Sequence, residues 1–529
     1  MAMEFVTLSS RMSSRQGNFI YTFEDGRVIQ RSHATVQDDV RAACTALISW
    51  GLNAGMRVGI RAPNSYLWIV YDLALLELGA VTVAFTDDFA GASPKDMRDK
   101  YSLSLLLVPA SERGNHPAED TYIVGLGADN AGARVFDLNP RYERDSSDNR
   151  WMVFSSGSAG GLKGLLLSRK GIEANIAGLT GAVGPRPDDC LLLFLPISNF
   201  QQRLMYYAAL WYGFDLIVTE PSRLFRALKE LRPTILIAPP SLYEAFETRF
   251  DNMLWWKRTA ARLAAAAVGV LPVDAVREKL ARLIFMPAHK MLGGRMRMMV
   301  TGMAPIKRST LELFVLMQLP LYETYGLSEA GSVALNVPGA RKIGSVGRLL
   351  PGIQIEIAED GELIIHREHA QALGYFESAP GENEQTFIGG SRIASGDIGR
   401  FDADGYLYLL GRKKEIIVTA GGEKVHPEAL EAEIDACSDV ARSVVFASPG
   451  SPSISAVVLP KHPMNAEAKV RIKRFVDELN ERRPSRSVSQ VIFTDMVFSR
   501  ENGFLRPNLK LDRKKIAAHF QPISEAAVA

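Results

Sequence analysis

The sequence contains few of the features that mark secreted, metal-binding or membrane-spanning proteins. It has only three cysteines in 529 residues, and no two of them form a Cys-x-x-Cys pair. This argues against a disulfide framework or a zinc knuckle and favours a reducing compartment. No apolar run reaches the ~18 residues that a membrane-spanning helix needs, and the N-terminal residues lack the apolar core of a signal peptide. We therefore expect a cytoplasmic protein.

The chain also lacks a strong charge of either sign. It has 61 Lys and Arg residues against 59 Asp and Glu residues, a net charge of +2. Nucleic-acid binding has no support from this balance, because nucleic-acid-binding domains carry a clear basic excess. The length is enough for three or four packed units rather than one domain.

Apolar runs alternate with helical patterns through the first 300 residues. The β-branched run from Val58 predicts a strand, and Asn64 is predicted to cap a helix that ends at Gly79. Strand-like runs recur at 81–85, 105–108, 191–195, 215–220, 234–238 and 296–302. This alternation predicts an α/β fold with doubly wound parallel sheets. Segment 321–331 is predicted to be a loop after a further strand.

The pattern changes after about residue 340. Short strands with Gly and Pro punctuation predict a small antiparallel or β-barrel-like unit, with a hairpin at Asp404-Gly405. A compact α+β segment follows. We therefore predict a large N-terminal region, residues 1–411, of two doubly wound layers plus this β unit, and a small α+β C-terminal domain, residues 412–529.

Residues 253–292 form a separate stretch that is rich in Ala, Arg and Leu and includes the pair Trp255-Trp256. This composition predicts helices with an amphipathic character. A packed surface helix is the favoured interpretation, and a peripheral membrane contact is the alternative.

The most informative segment is a loop of small residues between two apolar runs. Residues 151–154 predict a buried strand, and a second apolar run begins at Leu165. Between them lie Ser155-Ser156-Gly157-Ser158-Ala159-Gly160-Gly161 and Leu162-Lys163-Gly164. Small residues leave backbone N–H groups exposed to an anion, serine hydroxyls add donors, and Lys163 adds a positive charge. The loop is therefore predicted to bind phosphate.

Other interpretations remain open on these residues alone. A P-loop requires Gly directly before its Lys, where this chain has Leu162. The dinucleotide fingerprint requires a different glycine spacing and a helix directly after the loop. A flexible surface turn is the simplest alternative. A serine hydrolase is a further one, because segment 326–330, Gly-Leu-Ser-Glu-Ala, lacks only the final Gly of a nucleophile elbow.

Several segments, taken in order with this loop, resemble the adenylate-forming (ANL) superfamily, which includes acyl-CoA synthetases, luciferases and nonribosomal adenylation domains. The loop resembles the Ser/Thr/Gly-rich phosphate loop of that superfamily. The other matching segments are 301–305, 322–329, 395–397, 411–415 and 502–511. The residue pattern at 502–511, and at 195–203 and 232–246, is closest to that of long-chain fatty acyl-CoA synthetases.

The resemblance implies a role for each segment. The phosphate-binding residues would be Ser155, Ser156, Gly157, Ser158, Gly160, Lys163 and Ser328, and the adenine-binding residues would be Gly302, Met303, Ala304, Pro305 and Tyr325. Asp397 and Arg412 would bind the ribose, Glu329 would hold Mg²⁺, and Lys414 would be the hinge. Lys510 would be the catalytic lysine, Gly421 and Gly422 would line the thiol path, and Asn199 and Phe200 would belong to the acyl pocket.

The resemblance also implies a reaction. A carboxylate attacks the α-phosphate of ATP and expels pyrophosphate, and the thiol of coenzyme A then attacks the acyl-adenylate and expels AMP. The implied cofactors are ATP, Mg²⁺ and coenzyme A, and the C-terminal domain would be mobile between the two steps. We expect a bulky apolar carboxylic acid or its acyl-adenylate as the other substrate. We expect no nucleic acid, at most a peripheral membrane contact, and we leave a homodimer open.

Four residues depart from the family pattern, all in the adenylating half of the machinery. Ala159 stands where Thr is common, Leu162 where Pro is common, Arg169 where His is common, and Asn199 where a His or an aromatic residue is common. Three classes of function therefore stay open. They are a complete acyl-CoA ligase, a specialised ligase with impaired adenylation that converts a supplied acyl-adenylate, and a non-enzymatic nucleotide-binding relative. Retention of Lys510 argues against the third class.

Overall fold

The computed structural model describes residues 3–15, 17–128, 130, 132–136, 148–156, 162–269, 274–389, 391–419, 422–447, 453–462, 465–499, 501–505 and 511–526. The strands are β1 (Phe19–Glu24), β2 (Arg27–Ser32), β3 (Arg57–Ile60), β4 (Val81–Ala84), β5 (Leu103–Pro109), β6 (Ile123–Leu126), β7 (Asn149–Ser156), β8 (Leu162–Ser168), β9 (Cys190–Leu193), β10 (Asp215–Val218), β11 (Ile235–Ala238), β12 (Met298–Thr301), β13 (Leu321–Leu327), β14 (Gly331–Leu335), β15 (Arg348–Leu349), β16 (Ile353–Ile357), β17 (Glu362–Arg367), β18 (Ala372–Tyr375), β19 (Arg392–Phe401), β20 (Leu407–Arg412), β21 (Ile417–Val418), β22 (Lys424–Val425), β23 (Val440–Ala447), β24 (Ile454–Pro460) and β25 (Val488–Phe493). The helices are α1 (Leu8–Ser13), α2 (His33–Ser49), α3 (Tyr66–Glu77), α4 (Pro94–Tyr101), α5 (Ala110–Arg113), α6 (Arg169–Val183), α7 (Phe200–Tyr212), α8 (Leu224–Leu231), α9 (Pro240–Asp251), α10 (Trp255–Gly269), α11 (Asp274–Ile284), α12 (Met286–Met291), α13 (Arg308–Leu316), α14 (Glu382–Thr386), α15 (Pro427–Ile434), α16 (Ala466–Arg482) and α17 (Arg513–Ala526).

Seven strands form the first large sheet, in the order β18-β8-β7-β4-β3-β5-β6. Five neighbouring strands, β7, β4, β3, β5 and β6, pair with one another in parallel. Strand β8 pairs antiparallel with β7, and β18 pairs antiparallel with β8. In β5, Leu105 and Leu107 face one apolar cluster, whereas Leu106 and Val108 face another. Because successive side chains point to opposite faces of a sheet, a strand that is buried on both faces has a continuous apolar sequence.

Nine strands form the second large sheet, in the order β15-β14-β13-β12-β11-β9-β10-β1-β2. The six central strands, from β13 through β12, β11, β9 and β10 to β1, pair with one another in parallel. At the edges, β14 pairs antiparallel with β13, β15 with β14, and β2 with β1. Leu191 and Leu193 of β9 pack in the same cluster as Leu105, and Leu192 packs on the opposite face of the sheet. The predicted α/β fold with two doubly wound layers is therefore confirmed.

Helix α3 begins differently from the prediction. The side chain of Ser65, not that of Asn64, caps the helix. Asn64 instead donates from Nδ2 to the carbonyl oxygens of Leu195 (2.8 Å) and Thr219 (3.0 Å), which follow two strands of the second sheet. The prediction of an Asn64 cap was wrong, because the amide connects the two sheets. Gly79 follows the helix with a φ of +70°, as expected for a C-terminal glycine.

The segment 321–331 is mostly strand, and the prediction of a loop was wrong there. Strand β13 pairs with β12 in parallel and with β14 in antiparallel register. Its Glu323 and Gly326 are residue types that are uncommon in strands, but a position between two partners supplies the hydrogen bonds that local propensity does not. A Cβ on Gly326 would lie 2.6 Å from the carbonyl oxygen of Gly331, so this close pairing requires glycine.

Smaller sheets follow the two large ones. Strands β16, β17, β19 and β20 form a four-stranded antiparallel sheet, and β23, β24 and β25 form a three-stranded sheet near α15, α16 and α17. The predicted hairpin at Asp404-Gly405 is confirmed, because Asp402 Oδ1 accepts from the N–H groups of Asp404 and Tyr406 between β19 and β20. The predicted domain boundary at 411/412 falls at the end of β20 and stays a prediction.

The helical prediction for 253–292 is confirmed by α10, α11 and α12. Nowhere in the described part of the chain is there a helix that combines the length and the apolar character needed to cross a bilayer. The three cysteines, Cys44, Cys190 and Cys437, are buried and unpaired.

Candidate active site

The predicted phosphate loop connects the antiparallel strands β7 and β8. Ser155 lies opposite Lys163, and Ser156 lies opposite Leu162. The register therefore brings both serines and the lysine to the loop end of this hairpin. The other predicted phosphate-binding residues of the loop, Gly157, Ser158 and Gly160, lie outside the described residues, as does Ala159.

Topology excludes three of the alternative interpretations. A P-loop and a dinucleotide fingerprint both lead directly into a helix, but the loop after β7 leads into strand β8. A nucleophile elbow is a strand-to-helix turn, but the turn that contains Ser328 connects β13 to strand β14.

The ammonium group of Lys163 contacts the segment 375–382. It forms an ion pair with Glu382 at the start of α14, and its Nζ lies 5.0 Å from the centre of the Tyr375 ring. The hydrogen bond from Lys163 lowers the pKa of Glu382, and the charge of nearby Lys414 contributes to the same shift. The side chains of Lys163 and Glu382 are 22% and 28% exposed, so solvent and solutes reach this pair.

The predicted metal ligand, Glu329, lies beside the same tyrosine. The Tyr375 hydroxyl donates to Glu329 Oε1 over 2.9 Å. Burial, and then the charge of Glu329, raise the pKa of Tyr375, so the hydroxyl keeps its proton. Ser328, in the same turn, accepts at its carbonyl from Gln371 Nε2 over 3.0 Å. Tyr375 thus connects the predicted phosphate-binding lysine to the predicted metal ligand.

A Mg²⁺ ion at Glu329 would take most of its ligands from substrate and water. Among the described residues, no group of three or more His, Cys, Asp and Glu side chains is arranged to hold a metal. Mg²⁺ in nucleotide sites is commonly bound by one or two carboxylates plus phosphates. A single carboxylate whose orientation is fixed by Tyr375 fits such a site.

Tyr325, Asp397 and Arg412 form a hydrogen-bonded chain. The Tyr325 hydroxyl donates to Asp397 Oδ2 over 2.6 Å, and Arg412 Nε lies 2.8 Å from Asp397 Oδ1. The register brings the latter two together, because Asp397 of β19 lies opposite Arg412 of β20. Burial first, and the charge of Asp397 second, raise the pKa of Tyr325 well above its usual value. The charge of Glu329 also contributes to the electrostatic environment of Arg412. The Tyr325–Asp397–Arg412 chain therefore lies in the same region as the predicted metal ligand.

The predicted adenine loop, 302–305, follows β12. A Cβ on Gly302 would lie 2.8 Å from Thr324 Cγ2, so glycine allows the loop to pass close to β13. Met303 has a φ of +72°, a left-handed conformation that is uncommon for a residue with a side chain. Ala304 is half-buried and Pro305 is exposed. Strained conformations of this kind cluster at ligand sites.

An apolar cavity of about 100 Å³ begins at this loop. Gly302, Met303 and Tyr325 belong to its lining. Its other walls include Leu179 and Val183 of α6, Leu204 and Met205 of α7, Ile237 of β11 and Val300 of β12. The cavity therefore lies between helices α6 and α7 and the second sheet, and of the Tyr325–Asp397–Arg412 chain it is lined by Tyr325.

Neither of the predicted acyl-pocket residues lines this cavity. Phe200 is buried against Trp151, with ring centroids 5.6 Å apart, and Asn199 is exposed at the N-cap position of α7. Gln201 and Leu204 of the same helix line the cavity instead. Helix α7 therefore contributes other side chains to this cavity, and the assignment of Asn199 and Phe200 to the acyl pocket stays a prediction.

The predicted hinge and thiol path lie beyond β20. Lys414 is exposed within the 3₁₀ turn Lys413–Glu415. Gly422 has a φ of +76° and donates its N–H to the Thr419 carbonyl over 2.9 Å, in the turn between β21 and β22. The predicted thiol-path residue Gly421 and the predicted catalytic Lys510 lie outside the described residues.

Three further residues belong to this region and were not predicted. Tyr375 and Glu382 belong to no motif, so sequence patterns contain no signal for them. Glu323 lies on β13 inside the matching segment 322–329 but was assigned no role. Burial raises its pKa to about 8, against a hydrogen bond from the Gly344 N–H at 3.1 Å. A loop was predicted at 321–331, and glutamates are mostly exposed, so the sequence contained no signal for the burial of Glu323.

Comparison with known proteins supports the motif-based resemblance over most of the chain. Residues 12–376 match the family model described as AMP-binding enzyme, and residues 414–523 match the AMP-binding enzyme C-terminal domain. Long-chain-fatty-acid–CoA ligase FadD15 of Mycobacterium bovis is 29% identical, over 93% of this chain and 91% of the relative. Human long-chain-fatty-acid–CoA ligase 1 is 24% identical, over 88% of this chain and 77% of the relative.

Solved structures share the fold at lower identity. The anthranilate CoA ligase AuaEII, in complex with anthranoyl-AMP, is 18% identical with a TM-score of 0.75, and the match covers 99% of this chain and 98% of that one. ATP-bound MatB of Rhodopseudomonas palustris is 20% identical with a TM-score of 0.75, covering 99% and 100%. With family models that match most of its length and the predicted fold confirmed, the chain belongs to the AMP-binding enzyme family, within the adenylate-forming ANL superfamily.

Proposed function

We propose that this chain is an acyl-CoA ligase that activates a carboxylic acid with a bulky apolar body through an acyl-adenylate. The observation that carries the proposal is the position of the apolar cavity, whose lining includes Tyr325 and Gly302. The names of the curated relatives support the same assignment. An apolar body in the cavity and a nucleotide beside Asp397 would bring a carboxylate next to an α-phosphate.

The nucleotide end of the site would be formed by Tyr325, Asp397 and Arg412. Asp397 would accept hydrogen bonds from the ribose hydroxyls, because an ionised carboxylate offers about four acceptor positions, and Tyr325 and Arg412 would hold it in place. Arg412 would contact the ribose. The Tyr325 ring would stack on adenine beside Gly302 to Pro305.

The phosphate end would be formed by Lys163, the loop serines, Ser328 and Glu329. The first step brings two anions together, so preorganised positive charge and donors are required. Lys163 would bind the terminal phosphates, and Lys510 would bridge the carboxylate and the α-phosphate. Mg²⁺ held through Glu329 would neutralise phosphate charge.

The second step would require the C-terminal domain to change its position. Coenzyme A must reach the acyl carbonyl that Lys510 is proposed to approach in the first step, and a hinge allows one site to serve both steps. We assign the hinge to Lys414, at the proposed boundary between residues 1–411 and 412–529. Gly421 and Gly422 would line the path of the thiol, where the absence of side chains allows close approach.

A second candidate is a ligase that adenylates slowly and passes a supplied acyl-adenylate to coenzyme A. Two observations favour it. Ala159 lacks the hydroxyl that Thr would offer to the triphosphate, and Lys163 is already paired with Glu382. Both features weaken contacts to ATP rather than to the adenylate.

A mass-spectrometric screen of carboxylic acids with ATP, Mg²⁺ and coenzyme A tests the proposal. We expect acyl-CoA and AMP with apolar acids of about eight or more carbons, because each buried methylene stabilises the complex by ~0.8 kcal/mol. Acetate should be the poorer substrate. Better ligation of acetate than of any larger apolar acid would contradict the proposed substrate class.

A further inference from the structure

Helices α10 and α11 expose large apolar side chains to solvent. Trp256 is 53% exposed, Leu263 67%, Val276 46% and Leu283 60%. Single exposed apolar residues are common on protein surfaces, but a patch of them marks an interaction site. Because α10 and α11 pack against each other, these side chains are concentrated on one part of the surface.

The exposed residues follow helical periodicity. On α10 the positions Trp256, Ala260, Leu263 and Ala267 are all exposed, at intervals of three and four residues, and on α11 Val276, Leu280 and Leu283 repeat the spacing, with Leu280 half-buried. Such spacing forms one stripe along a helix. The stripe is not the face that packs on the protein, because Ala261 contacts the core of the second sheet and Ala281 is buried. We call the two stripes together the outer face.

Basic residues flank the outer face. Residues 253–292 contain seven Lys and Arg residues and two Asp and Glu residues, whereas the whole chain has a net charge of only +2. Lys257 Nζ lies 5.3 Å from the centre of the Trp256 ring. Arg262 and Lys279 are exposed next to the stripes in sequence. The positive charge of this protein is therefore concentrated where its apolar surface is exposed.

We propose that the outer face of α10 and α11 binds the surface of an anionic lipid bilayer. Helices with an apolar stripe flanked by Lys and Arg lie in the plane of the interface, with Trp and Leu in the acyl region. Lys and Arg keep their charges at the headgroups while their stems cover apolar surface. This contact is peripheral and requires no spanning helix.

A second copy of the chain fits this surface less well. A two-fold interface places the same patch on both subunits, so the basic flanks of the outer face would meet their own copies. Like charges repel across such an interface, whereas anionic headgroups complement them. Charge complementarity therefore selects the bilayer over the dimer.

Vesicle flotation with the full chain, without substrates, tests this inference independently of catalysis. The chain should bind vesicles of phosphatidylcholine with roughly 30% phosphatidylglycerol, and high salt should weaken binding because it screens exposed charges. Pure phosphatidylcholine vesicles should bind at least several-fold more weakly. Equal binding to both vesicles, or none to either, would overturn the proposal.

Variants locate the contact. The double substitution Leu263→Glu/Leu283→Glu should reduce binding at least tenfold, and Lys257→Gln should reduce it about fivefold. Val470→Glu is the matched control, because Val470 is 68% exposed on α16 and belongs to neither stripe of the outer face. This variant should bind as the unmodified chain does. Unchanged binding by the double variant would overturn the proposal. So would a dimer of the unmodified chain that the double variant converts to a monomer.

Discussion

Lys163 and Glu382 form an ion pair between the strand that follows the predicted phosphate loop and the short helix α14. The carboxylate therefore contacts the same ammonium group that is proposed to bind the terminal phosphates of ATP. Under this proposal, a triphosphate that enters the site would compete with Glu382 for Lys163. AMP lacks the terminal phosphates and does not compete.

Substitution Glu382→Gln should strengthen the binding of ATP and pyrophosphate and leave AMP binding unchanged. The gain should not exceed about fivefold, because partly exposed ion pairs are worth up to ~1 kcal/mol. Calorimetric titration of each nucleotide measures this difference. Glu384→Gln, an exposed residue of the same helix, is the matched control. An equal change for ATP and AMP would show that Glu382 does not act through the terminal phosphates.

Substitution Asp397→Ala should weaken AMP binding roughly 10- to 150-fold. A lost hydrogen bond to a charged acceptor costs about 1.5–3 kcal/mol, and the ribose hydroxyls are proposed to donate to this carboxylate. Calorimetry on the folded variant measures the effect. Tyr325→Phe keeps the ring and removes only one partner of Asp397, so its effect should be smaller. Unchanged affinity in folded Asp397→Ala would remove the basis for the nucleotide site.

The stability of the fold should fall as the pH rises through the range in which Glu323 ionises. Burial raises the pKa of Glu323 from 4.5 to about 8, so the folded chain holds this proton more tightly than the unfolded chain does. The free energy of unfolding therefore decreases between these values and loses this contribution above pH 8. Glu323→Gln cannot ionise, so its melting temperature relative to the unmodified chain should be higher at about pH 9 than at about pH 5. A difference that is the same at both pH values would contradict this assignment.

Much of the fold follows from local patterns, because strands that are buried on both faces have continuous apolar sequences. The runs at β5 and β9 were predicted for this reason. Local patterns failed where tertiary contacts decide the outcome. Asn64 connects two sheets rather than capping a helix, and β13 keeps a strand conformation because two neighbouring strands pair with it.

The candidate site likewise contains residues that the sequence could identify and residues that only the folded structure reveals. Residues in recognisable motifs, such as Tyr325, Asp397 and Arg412, could be named from the sequence, and the structure brings them into contact. Their roles stay predictions. Glu382 lies 219 residues from Lys163 in the chain, so only the folded structure reveals that they meet. The acyl-pocket roles of Asn199 and Phe200 also stay predictions, because the sequence identifies helix α7 but not which of its side chains line the cavity.

Substitution Ala159→Thr should increase ATP–pyrophosphate exchange if adenylation is slow in this chain. A hydroxyl bond to a charged phosphate oxygen would contribute about 1.5–3 kcal/mol, or up to roughly 150-fold if it forms in the transition state. Turnover of a synthetic acyl-adenylate with coenzyme A is the control and should not change. Exchange by the unmodified chain that is already as fast as thioester formation would contradict slow adenylation.

The central claim is that one site joins an apolar acid first to AMP and then to coenzyme A. The most direct measurement follows both half-reactions of the full chain by mass spectrometry, with dodecanoate, ATP and Mg²⁺, in the presence and absence of coenzyme A. We predict acyl-adenylate and pyrophosphate without coenzyme A, and acyl-CoA and AMP with it. Lys510→Ala should lose the first half-reaction and still convert a supplied acyl-adenylate. Formation of ADP instead of AMP, or equal loss of both half-reactions in folded Lys510→Ala, would contradict the account.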